Sequence, residues 1–252
     1  MASKAPQKSV VNTPKDSINS HLDELIACTR ENFYTFLLAY TSLQLGGGVL
    51  DSIRDDVTVS TSVGLNIEIE PISIVELKQF RADFPDFLLQ VFHGKIVQGW
   101  QDLLTKIFCH YLFLHFSGQR QFIELKSANV RLDFASATSL DDQVKARLKR
   151  DFEFRKYSER QKIINKLLNP KCLYPNELAN IHKHIHIRNS FQHNDGILDS
   201  FALQDLGTDK IEILDLNGLP ISVSKDQRIT LSIPELNSFR RSLLMVAQKW
   251  RA

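Results

Sequence analysis

Residues 175–199 have the sequence PNELANIHKHIHIRNSFQHNDGILD, which predicts a helix with a defined beginning and end. Asn176 follows Pro175 and is predicted to be the N-cap, while Asn194-Asp195-Gly196 predicts the exit, because glycine readily adopts the left-handed conformation that closes helices. At about 100° per residue, a single stripe of this helix carries four polar groups: His182, His186, Asn189 and His193. Arg188 lies beside that stripe.

Outside this stretch, length and composition describe an ordinary globular protein. The chain has 252 residues, of which 43% are hydrophobic and 24% charged, and its formal net charge is +2. This small net charge does not by itself predict a polyanionic partner, so any binding of nucleic acid must depend on local patches of positive charge. The three cysteines, Cys28, Cys109 and Cys172, are too far apart for a disulfide framework or a zinc clip, which predicts a reducing, cytoplasmic location. The most apolar run, residues 107–116, is too short to span a bilayer, so we expect no membrane segment.

The apolar spacing of helices occurs elsewhere in residues 18–45, 74–116, 140–169 and 234–250. Three glycines at 46–48 predict the end of the first of these helices, and Pro85 is predicted to divide the second. The third helix is strongly basic: between Asp141 and Lys171 there are ten Lys or Arg residues and five Asp or Glu residues. Such a face is either solvated or one wall of a cleft that binds RNA.

The segments with the pattern of β-strands are shorter than the predicted helices. Residues 57–70 alternate polar and apolar side chains, which predicts a hairpin bent near Gly64, and residues 119–138 are ambiguous. The turn Asn217-Gly218 predicts a second hairpin near residues 210–232, with a third strand at 228–232. We therefore predict a mainly α fold, a helical bundle with small β-hairpin insertions. Residues 1–16 are expected to be a flexible tail and residues 17–252 a single domain.

Three interpretations of the histidine-rich helix remain open. In the first it is structural only. In the second, His182 and His186 are metal ligands, since histidines four residues apart face the same side of a helix. Lys183, however, takes the place of the glutamate of zinc-protease helices, and no Cys or Asp stands at ligand spacing nearby. We therefore predict no metal and no cofactor.

In the third interpretation the helix cleaves RNA without a metal. The reaction needs a base for the 2′-OH proton, an acid for the leaving 5′-oxygen, and positive donors for the phosphorane. Histidine exchanges protons near neutral pH, arginine offers a planar fork to phosphate oxygens, and Asn189 can orient either group. One chain supplies one such set, so a two-fold dimer would supply a second.

The residues Arg188-Asn189-Ser190-Phe191-Gln192-His193 match the R-N-x-x-x-H motif, and the chain therefore resembles the HEPN superfamily (higher eukaryotes and prokaryotes nucleotide-binding domain). The following Asn194-Asp195-Gly196 is similar to the exit common in that superfamily. The resemblance covers about residues 140–251.

The resemblance implies a homodimeric endoribonuclease that leaves 2′,3′-cyclic phosphate ends. It also implies a place in toxin–antitoxin or phage-defence systems, with an antitoxin or regulatory protein as a further partner. Arg188 would stabilise the phosphate, Asn189 would support it, and His193 would be the acid or base. Further RNA contacts are predicted for His182, His186, Lys183, Arg155 and Lys162. The alternative is a catalytically silent HEPN-like module that binds RNA or a protein through the same surface.

Overall fold

The computed structural model describes residues 14–59, 71–122 and 130–251. The helices in this part of the chain are α1 (Pro14–Asp51), α2 (Ile74–Phe116), α3 (Leu140–Glu153), α4 (Tyr157–Leu168), α5 (Pro175–His193), α6 (Ser200–Leu206) and α7 (Ile233–Trp250). The strands are β1 (Thr58–Val59), β2 (Ile72–Ser73), β3 (Lys210–Leu214) and β4 (Pro220–Ser224). The prediction of a mainly α fold with small β-hairpins is thus confirmed. None of the described helices combines the length and apolar character that a bilayer crossing requires.

Helix α1 does not end at the three glycines, and that prediction was wrong. The helix continues through residues 46–48 to Asp51. Arg81 of α2 contacts this end of the helix: its guanidinium packs against Gly47 and forms a bidentate ion pair with the Asp51 carboxylate at 2.9 and 3.1 Å. A partly exposed ion pair contributes about 0–1 kcal/mol, so this contact offsets part of the weak helix propensity of the glycines. Helix α1 begins at Pro14, inside the predicted tail, and residues 1–13 lie outside the described part.

Helix α2 is likewise continuous where a break was predicted, with Pro85 in its interior. Proline removes one backbone hydrogen bond at this point. The turns that follow bury Leu88, Leu89 and Phe92, and the burial of each such side chain contributes roughly 1.5–3 kcal/mol. This packing offsets the local cost of the proline.

The basic segment forms two helices, not the single helix that its sequence predicts. Helix α3 ends at Glu153 and α4 begins at Tyr157, with Lys156 in an extended conformation between them. The Tyr157 side chain is buried and its hydroxyl accepts a hydrogen bond from the Trp100 indole at 3.0 Å. The chain changes direction between α3 and α4, and the apolar spacing of the sequence does not reveal this change.

The second predicted hairpin is confirmed. Strands β3 and β4 pair antiparallel from Lys210↔Ser224 to Leu214↔Pro220, and Gly218 in the connecting turn has a φ of 78°. The prediction of a third strand at 228–232 was wrong, since Arg228 forms only an isolated bridge with Ile197. Farther upstream, β1 pairs with β2, but residues 60–70 and the predicted bend at Gly64 lie outside the described residues. No strand forms in residues 119–122 or 130–138, the described part of the ambiguous segment.

The chain divides into two compact units. The first unit contains the chain up to Ala27, Gly99–Ala179 and the chain from Leu243 onward. Its core contains aromatic pairs: Trp100 lies against Trp250 with ring centroids 5.2 Å apart, and Phe108 stacks on Phe152 at 4.2 Å.

The second unit contains Cys28–Gln98 and Asn180–Ser242. Its core includes Phe36, Ile181, Leu236 and Phe239, all fully buried. The greater part of α5 belongs to this unit. Arg188, His193, Asp205 and Glu235 also belong to this unit.

Candidate functional site

Apart from the exposed His193, the histidines and cations of α5 have three different surroundings, and Arg188 occupies the first of them. It is half-buried and lines a groove of about 420 Å³ formed by residues of α2 and α5. Its Nη1 donates a hydrogen bond to the Asn189 side-chain oxygen at 3.2 Å, while its Nε is buried and has no hydrogen-bond partner among the described residues. Burial lowers the pKa of Arg188, but arginine remains charged at neutral pH.

The groove around Arg188 carries positive charge and aromatic surface. Lys95 supplies a second cation, and Phe87 and Phe191 supply two rings. The remaining lining residues are Gln90, Val91, His93, Gly94, Gln98 and Gln192. No carboxylate lies among these lining residues, but Asp83 and Asp86 line an adjoining pocket that shares Phe87 and Gln90 with the groove.

His193 is exposed and is the last residue of α5. It follows Arg188 by five positions, which corresponds to about 140° around the helix axis and about 7.5 Å along it. It does not belong to the lining of the groove. The helix ends directly after His193, as predicted. The backbone N–H groups of Asn194 and Gly196 both donate to the Ser190 carbonyl, at 2.9 and 3.0 Å.

The second group consists of His182, His186 and Asp205. The Nε2 atoms of the two histidines lie 2.8 and 2.9 Å from the same carboxylate oxygen, Oδ2 of Asp205. They lie 3.3 Å from one another. The three side chains are largely buried, with exposed fractions of 13%, 8% and 12%. Three potential metal ligands therefore converge on one point.

The pKa values within this group favour a neutral imidazole and a charged carboxylate. Burial lowers the pKa of His182, although the Asp205 carboxylate opposes that shift. Burial would raise the pKa of Asp205, but the hydrogen bonds from His186 and His182 outweigh it and lower the pKa overall.

Asp205 is not among the residues predicted from the sequence, because it lies 19 residues beyond His186 in the chain. The aspartate comes from α6, a short helix that was not predicted. Two signals mark this helix: Asp199 caps it by accepting a hydrogen bond from the Ala202 N–H, and Gly207 ends it in the left-handed conformation with a φ of 69°. A search for such caps would have found the helix but not the direction of Asp205.

The third group is a buried network around Glu235, the first acidic residue of α7. Oε1 of Glu235 lies 2.7 Å from Nζ of Lys183 and 3.0 Å from Nε2 of His184. Oε2 of Glu235 accepts a hydrogen bond from the Leu214 N–H at 2.8 Å. His184 also stacks on Phe239, with ring centroids 4.2 Å apart. These contacts explain why a glutamate with an exposed fraction of 1% remains in the interior.

The pKa values in this network follow from burial and charge. Burial lowers the pKa of His184 to about 4, although Glu235 opposes the shift. For Glu235, burial would raise the pKa, but the hydrogen bond from His184 and the charge of Lys183 lower it to about 2. The pKa of His93 lies well below its ordinary value, first because of burial and also because of nearby charges that include Arg188.

The residues predicted to bind RNA therefore lie in different surroundings. His182 and His186 contact Asp205, and Lys183 pairs with Glu235 and donates to the Glu212 carbonyl at 2.7 Å. The side chains of His182 and His186 are largely buried, and that of Lys183 is 18% exposed. Arg155 and Lys162 are exposed and belong to the first unit.

Comparisons of the chain with protein-family models, with curated proteins and with solved structures give no match.

Proposed function

We propose that this protein is a metal-independent endoribonuclease of the HEPN type. The observation that carries the proposal is the position of Arg188: a half-buried guanidinium in a groove without a lining carboxylate. An arginine in such a place matches a phosphate oxygen pair with its planar fork, and the low local dielectric strengthens that contact. The sequence motif supplies Asn189 and His193 on the same helix.

The aromatic surface of the groove supports a polynucleotide as the substrate. Phe87 lines the groove and is 57% exposed, and Phe191 lines it from α5. Bases of single-stranded RNA stack on such rings, while Lys95 and Arg188 attract the phosphates between them. A small anion would need the cations but not the rings.

In the proposed reaction the 2′-oxygen attacks the adjacent phosphorus and the bond to the 5′-oxygen breaks. A base takes the 2′-OH proton and an acid gives a proton to the leaving 5′-oxygen, so that the products are a 2′,3′-cyclic phosphate and a 5′-hydroxyl. Arg188 stabilises the charge on the phosphorane, and His193 is one of the two proton-transfer groups.

The separation of Arg188 and His193 around the α5 axis favours a site completed by a second copy of the chain. In a two-fold dimer, residue pairs contact one another reciprocally, so His193 of one copy can serve the phosphate bound by Arg188 of the other. The homodimer is part of the proposal, as is an antitoxin or regulatory protein that restrains the activity.

The test is cleavage of a labelled single-stranded RNA by the purified protein in EDTA, with detection of cyclic phosphate ends. We expect cleavage in EDTA, a loss of at least about 10³-fold in Arg188→Ala and His193→Ala, and a smaller loss in Arg188→Lys, which keeps the charge but not the fork. Arg54→Ala is the matched control, because Arg54 is 82% exposed. Undiminished cleavage by Arg188→Ala would overturn the proposal. RNA binding without cleavage by the wild type would favour the silent module.

Growth of a bacterial host that expresses the protein tests the place in defence or toxin–antitoxin systems. We expect arrest with the wild type and relief with His193→Ala at equal protein levels. Equal growth in both cases would argue against a toxic effector.

A further inference from the structure

We propose that His182, His186 and Asp205 bind a divalent transition-metal ion, at a site separate from the groove of Arg188. The proposal is independent of the nuclease proposal. It rests on the convergence of Nε2 of His182, Nε2 of His186 and Oδ2 of Asp205 within the second unit.

The distances between the three atoms are those of ligands around one ion. Nitrogen and oxygen ligands of zinc lie about 2.0–2.2 Å from the metal, so two ligands at coordination angles of 90–110° are about 2.8–3.6 Å apart. The two Nε2 atoms are 3.3 Å apart, and Oδ2 of Asp205 lies 2.8 and 2.9 Å from them. All three distances lie in this range, so a single ion can lie at bonding distance from the three atoms.

The chemistry of the ligands selects the class of metal. Two imidazoles and one carboxylate suit zinc and its first-row neighbours, whereas calcium and magnesium take oxygen ligands. Three protein ligands leave room for water or another ligand at the ion. The charge of Asp205 partly neutralises the bound cation, and the largely buried position of the group protects it from exchange.

The scaffold holds the ligands in position before the metal binds. His182 and His186 are one helical turn apart on α5, which fixes their spacing. Asp199 connects α6 to the exit of α5, because Oδ2 of Asp199 accepts a hydrogen bond from the Asn194 side chain at 2.8 Å while Oδ1 caps α6. The aspartate that caps α6 therefore also sets the place of Asp205. Supporting contacts of this kind raise the affinity of metal sites.

The experiment is a titration of the chelator-treated full-length protein with Zn²⁺ by calorimetry, and with Co²⁺ by visible spectroscopy. We expect one equivalent per chain, a rise in Tm on addition of Zn²⁺, and a Co²⁺ spectrum without thiolate charge-transfer bands. The last feature separates the site from the exposed Cys28 and Cys172.

Variants assign the binding to the three residues. Asp205→Asn keeps the shape and hydrogen-bonding capacity of the side chain but removes its charge, and we expect Zn²⁺ affinity to fall at least about 100-fold. His186→Ala should do the same. His193→Ala and Asp209→Asn are matched controls, because both residues are exposed and outside the cluster, and both should bind Zn²⁺ like the wild type. If the wild type takes up no stoichiometric Zn²⁺, or if Asp205→Asn binds it unchanged, the three residues form a hydrogen-bonded group and not a metal site.

Discussion

Nδ1 of His184 lies 3.0 Å from Nε2 of His93, and both imidazoles are buried. His93 also lines the groove of Arg188, so this contact connects the interior of α5 with a wall of the groove. One arrangement of protons is consistent with these distances: His93 carries its proton on Nε2, which faces Nδ1 of His184, and His184 carries its proton on Nε2, which lies 3.0 Å from the Glu235 carboxylate. Both imidazoles are then neutral, and the positive charge in the groove belongs to Arg188 and Lys95.

The neutrality of His184 predicts a loss of stability in acid. In the unfolded chain this histidine binds a proton below about pH 6.5, whereas in the folded chain its pKa is about 4. Between these values the unfolded state binds more protons, so the free energy of unfolding falls as the pH is lowered, by up to about 3 kcal/mol. Burial lowers the pKa of His93 and His182 as well, which adds in the same direction.

Urea denaturation at several values between about pH 7 and pH 4 measures this loss. His184→Asn should show a weaker pH dependence than the wild type, because it removes a group whose pKa falls on folding. A free energy of unfolding that stays constant over the range would contradict the buried neutral network.

Glu235→Ala is expected to destabilise the fold by about 3–5 kcal/mol. The change removes the carboxylate that compensates the partly buried Lys183 and accepts from His184, and a buried pair is costly to break from one side. Glu212→Ala is the matched control, because Glu212 is exposed and should change stability by no more than about 0.5 kcal/mol. Adding Lys183→Met to the Glu235 variant should recover part of the loss, and a strictly additive double variant would show that the two groups are not coupled.

Gly196→Ala is expected to destabilise the protein by about 1–3 kcal/mol, because a side chain at its φ of 79° is strained. A Cβ there would also lie 2.8 Å from Cε1 of Phe191, which lines the groove. Gly48→Ala makes the same chemical change within helix α1, where a Cβ meets no atom within 4 Å, and should stabilise by up to about 1 kcal/mol. Thermal denaturation of the two variants should therefore shift Tm in opposite directions, and an unchanged Tm in Gly196→Ala would refute the strain.

A mixture of Arg188→Ala and His193→Ala chains is expected to recover RNA cleavage. In a two-fold dimer with composite sites, a heterodimer of these two inactive variants contains one intact pair of groups. Co-refolding at equal amounts should give about one quarter of the wild-type activity, since half of the dimers are mixed and each has one intact site. Each variant alone is the control, and no recovery in a mixture shown to contain heterodimers would mean that each chain carries an independent site.

Local patterns predicted much of this fold. The apolar spacing of the long helices, the Asn217-Gly218 turn and the exit of α5 at Gly196 all depend on interactions within a few residues, and the structure confirms each of them. Two of the predictions that failed were breaks inside helices: the glycines at 46–48 and Pro85 weaken a helix locally, but Arg81 and the buried side chains after Pro85 stabilise it from outside. The others, a third strand at 228–232 and a single helix over the basic segment, also failed because contacts between distant residues decide them.

For the candidate site, the sequence by itself determined which groups α5 carries and their order, because the helical repeat places His182 and His186 on the same face. Only the tertiary structure decided what each group meets. Arg188 lies in a groove with α2, while Asp205 and Glu235 arrive from α6 and α7 to face the histidines. The packing of apolar surfaces between distant segments determines which polar side chains meet. The residues next to Asp205 or Glu235 in the sequence therefore do not reveal which histidine each of them contacts.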